Sequence, residues 1–523
     1  MHPFRCPSCR SMISGGGARN QPKPIWVVIQ LCALSFHVPL TVVSGTQRTL
    51  ADTTSAFKLG LAVSLASLLL YVLLKVVTKD GWKALAWTSV GLLFFWHWQW
   101  SSTSSIAATL VTIALLVLVL VAAGLYSHHL YLQVGLFAVS ITLAVTMLVR
   151  FAISEFTAPP PVVSLAGAPA FGLMSSTPDI FLIVLDGYGR EDVLRTIYAF
   201  DNSEFAISLE NSGFNVASSA NANYGGTHQS IPSLLNMTYV AEDGDVISNS
   251  DLEVLARSIS GDNALVRTLK DNGYRYIHGD TDHWVNTCGR EVDVCLEGPL
   301  LDITIDSLLA ATPVGPLIFP SSGDPSTYLN LDRIEQLENW SQTQGASSSA
   351  PTFTYLHLML PHPPLYLDSS CSVDIRPNMG ERNLNLGDIS TDVLAERKDG
   401  YIEQVKCANL TIERFLAQVD EDDVVVITAD HGPDSYGLMT GNPSMWSAEQ
   451  MWERFGTLTA VRLPACPIED EDLQLVNVFR LVLGCLTGDG VLVLEKRYFG
   501  ATYGGPVFEI PDPDSAELDL ANN

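Results

Sequence analysis

The stretch VVVITADHGPDS, residues 424–435, is an apolar run that leads directly into an acid, a histidine and a glycine. A short apolar run bounded by turn residues is typical of a strand buried on both faces. Asp430 and His431 follow the run, and Gly432 lets the backbone turn sharply after them. Two residues that commonly ligate metals, side by side at a strand end, are hard to explain as a simple turn.

Two other apolar runs end in a similar way. DIFLIVLDGYGRED, residues 179–192, ends its run at Asp186, and TFTYLHLMLPHPP, residues 352–364, ends at His362. Helical patterns separate these runs, near residues 191–211, 262–272 and 396–419. Strands that alternate with helices predict an α/β domain with a largely parallel central sheet.

In open α/β sheets, ligands bind beyond the carboxyl ends of the strands. Asp186, His362 and the Asp430–His431 pair are therefore expected at one edge of the sheet, where carboxylates and imidazoles suit a divalent cation. Taken alone, Asp186 with Gly187 is an ordinary turn, and His362 is a surface residue of a proline-rich loop. The combination of the three runs is what indicates a metal site.

A hydroxyl group for such a site comes from NANYGGTHQSIPSLLNM, residues 221–237. The apolar periodicity predicts a helix that begins close to Thr227, and threonine at that position is most simply a helix cap. The start of a helix also binds phosphate, and coordination to a cation makes a hydroxyl group a better nucleophile. Thr227 is thus the candidate nucleophile, and Ser230 is the nearest rival hydroxyl.

The first third of the chain predicts a membrane domain. A cytoplasmic tail, residues 1–24, precedes a transmembrane domain, residues 25–153, with apolar runs that approach the roughly 20 residues of a membrane helix. The predicted helices lie near 25–44, 59–78, 84–100, 106–126 and 130–153. A buried soluble core and a cleaved signal peptide are the alternatives; five successive runs disfavour the first, and the lack of an A-x-A-like site disfavours the second.

Charge predicts the orientation of the chain in the membrane. Residues before position 179 include ten Lys and Arg and three acidic residues, whereas the rest of the chain has 53 acidic and 19 basic residues. With the N-terminus inside, most of the early basic residues lie on the inner side. Five crossings then place the acidic second part outside the cytoplasm of an integral plasma or inner membrane protein, and four crossings would leave it in the cytoplasm. The acidity argues against nucleic acid as a partner.

The second part divides into three segments. Residues 154–178 are rich in Pro, Ala, Gly and Ser and predict a linker. Residues 179–510 form the predicted catalytic domain, and residues 511–523 an acidic, disordered tail. Six cysteines in this part fit an oxidising compartment, and proximity pairs Cys288 with Cys295, Cys371 with Cys407 and Cys466 with Cys485.

Four motifs, in this order and behind apolar helices, resemble the sulfatase-like branch of the alkaline phosphatase superfamily. They are IFLIVLDGYGRED, NYGGTHQSIPSLLNM, LHLMLPHPP and VVVITADHGPDS. The resemblance covers about residues 180–465, and lipoteichoic acid synthases and lipid A phosphoethanolamine transferases are the most similar groups. It implies one divalent cation, Zn or Mn with Mg as a further option.

The resemblance also implies roles for individual residues. Asp186, Thr227, Asp430 and His431 match the metal ligands, and Thr227 matches the threonine that carries the phospho-group. His362 matches a substrate-side histidine. The segment YIHGDTDHWVNTCGRE, residues 276–291, resembles a loop that supplies the substrate contacts His278 and Trp284, and Arg290 is a looser match to a phosphate-binding cation.

Two departures from the family pattern bear on function. The named transferases have Glu at the position of Asp186, and the Cys-x-Pro-x-Arg stretch of formylglycine-dependent sulfatases is absent. The sequence therefore predicts a phosphotransferase that uses a phospholipid or other phosphodiester donor and a glycan or lipid alcohol acceptor. A hydrolase that uses water as acceptor, and a non-catalytic membrane binding protein, are the alternatives.

Overall fold

The computed structural model divides into two compact units. One unit contains Met1–Ser44, Ala56–Ala152 and Ala311–Pro313, and the other contains Gly45–Ser55, Ile153–Ala310 and Val314–Asn523. The structure describes residues 21–43, 53–97, 106–157, 160–279, 287–296, 303–318, 325–340, 350–376, 391–435, 442–466, 468, 473–490, 492–501 and 505–515.

The five helices predicted for the first third of the chain are confirmed. They are α1 (Pro24–Val43), α2 (Thr53–Thr78), α3 (Gly81–Trp96), α4 (Ile106–Leu125) and α5 (Leu130–Thr157). Within the described residues, three stretches are long and apolar enough to cross a membrane: Pro24–Thr41, Ser55–Thr78 and Leu130–Arg150. Helix α3 is shorter and begins at Asp80, whose carboxylate caps it by accepting hydrogen bonds from the N–H groups of Trp82 and Lys83.

Helices α1 and α3 run in the same direction, and α3 lies beside the first part of α1. At their starts, the N–H of Gly81 donates to Gln21 Oε1 over 2.8 Å. Near the other end, His37 Nε2 lies 3.1 Å from His97 Nε2. Helix α3 therefore extends over the same depth as the first 14 residues of α1.

The remaining helices alternate in direction. The ring of Phe36, late in α1, contacts that of Phe57, early in α2, with centroids 5.7 Å apart. Asp80, at the start of α3, lies 2.6 Å from the Nε2 of His128, which follows the end of α4. Hydrogen bonds and ring contacts thus define a five-helix unit in which α1 and α3 are antiparallel to α2 and α4.

The second unit is built on a seven-stranded, mostly parallel sheet, as predicted. Its strand order is β2-β7-β6-β1-β5-β3-β4, with β6, β1, β5, β3 and β4 parallel to one another and β7 antiparallel to both of its neighbours. The strands, with the separate hairpin β8–β9, are β1 (Ile180–Leu185), β2 (Asn215–Val216), β3 (Arg275–Gly279), β4 (Val294–Leu296), β5 (Thr352–Leu358), β6 (Val424–Thr428), β7 (Thr459–Arg462), β8 (Tyr498–Gly500) and β9 (Phe508–Ile510).

Helices cover both faces of this sheet. They are α6 (Glu191–Tyr198), α7 (Ser203–Asn211), α8 (Thr227–Asn236), α9 (Asn249–Ile259), α10 (Ala264–Asp271), α11 (Ile303–Ala310), α12 (Gly315–Ile318), α13 (Pro325–Glu338), α14 (Thr391–Leu416), α15 (Ala448–Phe455) and α16 (Leu475–Thr487). Alternate residues of β1 enter opposite cores: Ile183 packs with α13 and α14, and Leu182 packs with α8, α10 and α16. Because both faces are buried, β1 is apolar throughout.

The predicted linker and the predicted acidic tail both contact the rest of the second unit, through hydrogen bonds and an ion pair. In the predicted linker, the N–H groups of Val162 and Val163 donate to Asp251 Oδ1. In the predicted acidic tail, Asp514 forms an ion pair of 2.6 Å with the buried Arg190. The prediction that disorder begins at residue 511 is therefore wrong for residues 511–515. Local composition identified the charge but not its distant partner.

The three disulfides predicted by proximity are confirmed. Cys288 is bonded to Cys295, Cys371 to Cys407 and Cys466 to Cys485. All three bridges lie within the second unit, which fits an oxidising environment for this unit.

Candidate metal centre

The three strands that end on candidate ligands are neighbours at the centre of the sheet. Strand β1 lies between β5 and β6 and is parallel to both. Asp186 directly follows β1, Asp430 follows β6 by two residues, and His362 follows β5 by four. Parallel strands bring their carboxyl ends to one edge, so the local pattern of each strand delivers its side chain to the same place.

Asp186, Asp430 and His431 form a buried group with metal-ligand geometry. One ligand atom from each lies within 4.8 Å of the others. His431 Nε2 is 3.5 Å from Asp186 Oδ1 and 3.3 Å from Asp430 Oδ2. Two ionised carboxylates buried with oxygen atoms within 4.8 Å of each other repel, and their burial is costly unless a positive charge lies between them.

The hydrogen bonds around the group fit a cation. Asp186 Oδ1 is buried and has no hydrogen-bond partner among the described residues. The Nδ1–H of His431 donates to the carbonyl of Gly432 over 2.9 Å, which leaves the Nε2 lone pair directed at the two carboxylates. The residues present therefore suit a divalent cation bound by two carboxylates and an imidazole.

The pKa shifts of Asp186 and His431 favour the forms that bind a metal. Burial favours neutral Asp186, but the imidazoles of His362, His357 and His431 outweigh burial and hold the pKa of this carboxyl well below its usual range. Burial, with a smaller effect from Arg454, lowers the pKa of His431. An ionised carboxylate and a neutral imidazole are the forms that bind metals.

Thr227 is the first residue of α8, and its hydroxyl group points into the metal centre. The N-cap of the helix is Gly226, in an extended conformation, so the threonine side chain does not cap. Thr227 Oγ1 donates to Asp430 Oδ2 over 2.5 Å and lies 3.4 Å from His431 Nε2. Thr227 is partly exposed, whereas the rest of the helix is buried.

His362 lies beside this group. Its ring centroid is 6.4 Å from that of His431. The Nδ1–H donates to the carbonyl of Pro363 over 2.6 Å. The structure thus brings together five of the residues singled out in the sequence.

The three predicted substrate contacts have different surroundings. His278 lies within β3, is completely buried, and its Nδ1 is 2.7 Å from the hydroxyl of Tyr276. Arg290 is exposed, in a turn beyond β3. Trp284 lies outside the described residues. Substrate contact by these residues stays a prediction, and for His278 it conflicts with burial inside the sheet.

Two residues near the centre escaped sequence reasoning. His357, in β5, places its Nε2 3.2 Å from Asp186 Oδ2. Arg454, buried in α15, donates from Nε to the carbonyl of Gly225 and from Nη1 to that of Gly432, so it joins the two loops that carry Thr227 and His431. The histidine inside an apolar run was a usable signal. Nothing local in the α15 sequence marks the arginine.

A candidate metal centre at the carboxyl edge of a mostly parallel sheet, with a hydroxyl at a helix start, is typical of a class of hydrolases and transferases. The chain matches the Sulfatase family over residues 178–458, more than half of its length, and it belongs to that family. It is therefore a sulfatase-like enzyme of the alkaline phosphatase superfamily that carries apolar N-terminal helices. No protein with a curated description matches it.

Several solved structures are similar at low identity. The C-terminal periplasmic domain of EcEptC from Escherichia coli, in complex with Zn, is 12% identical with a TM-score of 0.40, and the match covers 68% of this chain and 100% of that one. The soluble domain of lipooligosaccharide phosphoethanolamine transferase A from Neisseria meningitidis is 12% identical with a TM-score of 0.38, over 61% and 90% of the chains. Phosphonate monoester hydrolase of Agrobacterium radiobacter is 14% identical with a TM-score of 0.38, over 62% and 80%. Matches this distant do not indicate a substrate.

Proposed function

We propose that this protein is a membrane-bound, metal-dependent phosphotransferase that moves a phospho-group from a lipid donor to an alcohol acceptor through Thr227. The observation that carries the proposal is the position of the hydroxyl of the partly exposed Thr227, 2.5 Å from Asp430 Oδ2 in the buried candidate metal centre. A plain hydroxyl, without the Cys-x-Pro-x-Arg stretch, favours phosphoryl over sulfuryl transfer.

Asp186, Asp430 and His431, with Thr227, would hold one divalent cation such as Zn²⁺, Mn²⁺ or Mg²⁺. Bound there, the cation lowers the pKa of a coordinated hydroxyl and offsets the charge of phosphate oxygens. The Thr227 proton already points at Asp430 Oδ2, which is its acceptor as the hydroxyl becomes a nucleophile.

The first half of the reaction forms a bond between Thr227 Oγ1 and phosphorus and breaks the bond from phosphorus to the leaving alcohol. His362 donates a proton from Nε2 to the leaving oxygen. The N–H groups at the very start of α8 would donate hydrogen bonds to the phosphate oxygens. In the second half an alcohol takes the phospho-group and gives its proton to His362 Nε2, the bond from phosphorus to Thr227 Oγ1 breaks, and the proton held by Asp430 returns to Thr227. Trp284 and Arg290 are the proposed substrate contacts.

Intact-mass analysis tests the nucleophile. Wild type incubated with phospholipid should gain the mass of a phospho-adduct, and Thr227→Ala should gain none. Ser230→Ala is the matched control, because this buried neighbouring hydroxyl should be dispensable. An adduct on Thr227→Ala would refute the proposal, and a purified wild type that binds no divalent cation would favour a non-catalytic binding protein.

The acceptor decides between transferase and hydrolase. A transferase should release little product from a phosphodiester in detergent until a glycan or lipid alcohol is added. Steady release with water alone would indicate the hydrolase, and in that case the adduct on Thr227 would form and decay without an added alcohol.

We further propose that the catalytic unit is extracytoplasmic. The alternating directions of α1 to α4, and the position of α3 beside the first 14 residues of α1, support five crossings, which would place the chain after α5 opposite its N-terminus. In a background without the native free cysteines, a membrane-impermeant maleimide should label Ser164→Cys on intact cells. It should label Lys79→Cys, in the turn before α3, only after permeabilisation. The reverse pattern would refute this orientation.

A further inference from the structure

Strands β3 and β5 carry the same short motif, a tyrosine followed two residues later by a histidine. The motif is Tyr276 with His278 in β3 and Tyr355 with His357 in β5. The parallel register pairs His278 with Tyr355, so the four side chains share one face of the sheet. All four are buried.

This face leads to the metal centre. Strand β1 pairs Val184 with His357, and Asp186 follows Val184 by two residues, so Asp186 emerges on the same face as His357. The strands therefore place a line of aromatic and imidazole side chains directly behind one predicted ligand. Local sequence does not show this line, because it depends on the register between three strands.

The contacts along the line are continuous. The Tyr276 hydroxyl is 2.7 Å from His278 Nδ1, and the His278 ring lies edge-on to that of Tyr355, with centroids 5.2 Å apart. The Tyr355 hydroxyl is 3.5 Å from His357 Nδ1. His357 Nε2 is 3.2 Å from Asp186 Oδ2.

The distances favour one arrangement at the end of the line. If the Tyr355 hydroxyl donates to His357 Nδ1, the imidazole proton lies on Nε2. His357 Nε2 is buried without an aligned hydrogen-bond partner among the described residues, and Asp186 Oδ2, at 3.2 Å, is the acceptor within its reach. The other carboxylate oxygen, Oδ1, has no hydrogen-bond partner among the described residues and lies 3.5 Å from His431 Nε2.

We propose that His357 is a positioning residue that occupies one oxygen of Asp186 and thereby turns the other toward the cation, with Tyr355 and His278 holding the His357 ring in place. The inference rests on the proposed function, in which Asp186 is a cation ligand. Hydrogen bonds from neighbouring residues commonly set the orientation of metal-ligating carboxylates, and their loss weakens metal affinity about 10- to 100-fold.

The experiment measures Co²⁺ binding to the full-length protein in detergent through the visible absorption of the bound ion. His357→Leu should bind Co²⁺ about 10- to 100-fold more weakly than wild type, with an altered spectrum. His357→Gln places an amide N–H near the position of Nε2 and should restore most of the affinity. His357→Asn has the same chemistry on a shorter side chain, cannot reach Asp186, and should not restore it.

The outcomes separate this inference from the proposed function. Failure of wild type to bind Co²⁺ would overturn both. Wild-type binding with an equal affinity of His357→Leu would overturn the inference alone. If His357→Leu does not fold, the comparison of Gln and Asn decides, because equal affinities of these two variants would show that no donor near Nε2 is needed. Thermal unfolding of each variant identifies losses that come from folding.

Discussion

Gly432 controls the position of His431, and replacing it with alanine should disrupt the metal centre. An alanine Cβ at this position would lie 2.0 Å from the carbonyl oxygen of Glu453 and 3.0 Å from that of Gly456. Both oxygens are backbone atoms at the end of α15, which cannot turn aside as a flexible side chain can. The N–H of Gly432 also donates to the carbonyl of Arg454 over 2.7 Å, so the loop is fastened to the same helix end.

The size of the effect follows from these distances. Carbon and oxygen atoms in close contact settle at about 3.3 Å or more, so the loop must move by about 1.3 Å. Metal–ligand distances tolerate only about 0.2 Å, and a misplacement of about 1 Å at a catalytic centre costs on the order of 100-fold in rate. That factor is about 2.7 kcal/mol in the barrier. Overpacking should also lower the free energy of unfolding by about 1–3 kcal/mol.

The assay compares Gly432→Ala with Gly490→Ala in Co²⁺ affinity, adduct formation with phospholipid, and thermal unfolding. A Cβ at the exposed Gly490 would have no atom within 4 Å, so this variant controls for the loss of glycine itself. Gly432→Ala should lose most of its cation affinity while Gly490→Ala behaves as wild type. Wild-type affinity and stability in Gly432→Ala would refute the reasoning that close packing against α15 positions His431.

Three further predictions concern stability. Arg454→Met removes two hydrogen bonds made by a buried guanidinium and should lower the free energy of unfolding by about 3 kcal/mol in denaturant titrations. The control Arg267→Met, at a side chain that is 54% exposed, should change the free energy of unfolding by less than about 0.5 kcal/mol. Equal effects of the two substitutions would contradict the prediction. Burial raises the pKa of Glu453 from 4.5 to about 7, so the contribution of its protonated form to folding stability is complete below pH 4.5 and is lost as the pH rises through 7. Over that range the free energy of unfolding of wild type should fall by about 3 kcal/mol relative to that of Glu453→Gln. Parallel plots of stability against pH for the two proteins would argue against a buried carboxyl group. A disulfide limits the freedom of the unfolded chain more when it closes a longer loop. Replacing a disulfide by two serines should therefore lower the free energy of unfolding by about 4 kcal/mol for Cys371–Cys407, about 3 for Cys466–Cys485 and about 2 for Cys288–Cys295, which close loops of 36, 19 and 7 residues. Any other order of stability in calorimetry would contradict this explanation.

The surroundings of His278 bear on substrate recognition. The motif around this residue suggested a substrate contact, yet its side chain lies inside the sheet, behind Tyr355 and His357. Arg290 is exposed beyond the same strand. Recognition of the transferred group is therefore expected from the loop after β3, and His278 is better placed to support the metal centre than to touch a substrate.

The sequence by itself predicted the α/β architecture and the residues of the candidate metal centre. Strands buried on both faces are mainly apolar, so the three central strands were visible as largely apolar runs. Because parallel strands end at the same edge, the first polar residues after each run were bound to meet. The membrane helices were visible for a related reason, since a chain that crosses lipid must be apolar over a fixed length.

Tertiary structure decided what holds those residues in place. His357 faces Asp186 only because β1 and β5 pair in one particular register. Arg454 joins loops that lie 229 and 22 residues away in the chain, and Asp514 pairs with Arg190 across 324 residues. Such contacts depend on distances between segments that are remote in sequence. No local periodicity encodes them, and only the packed fold brings the partners together.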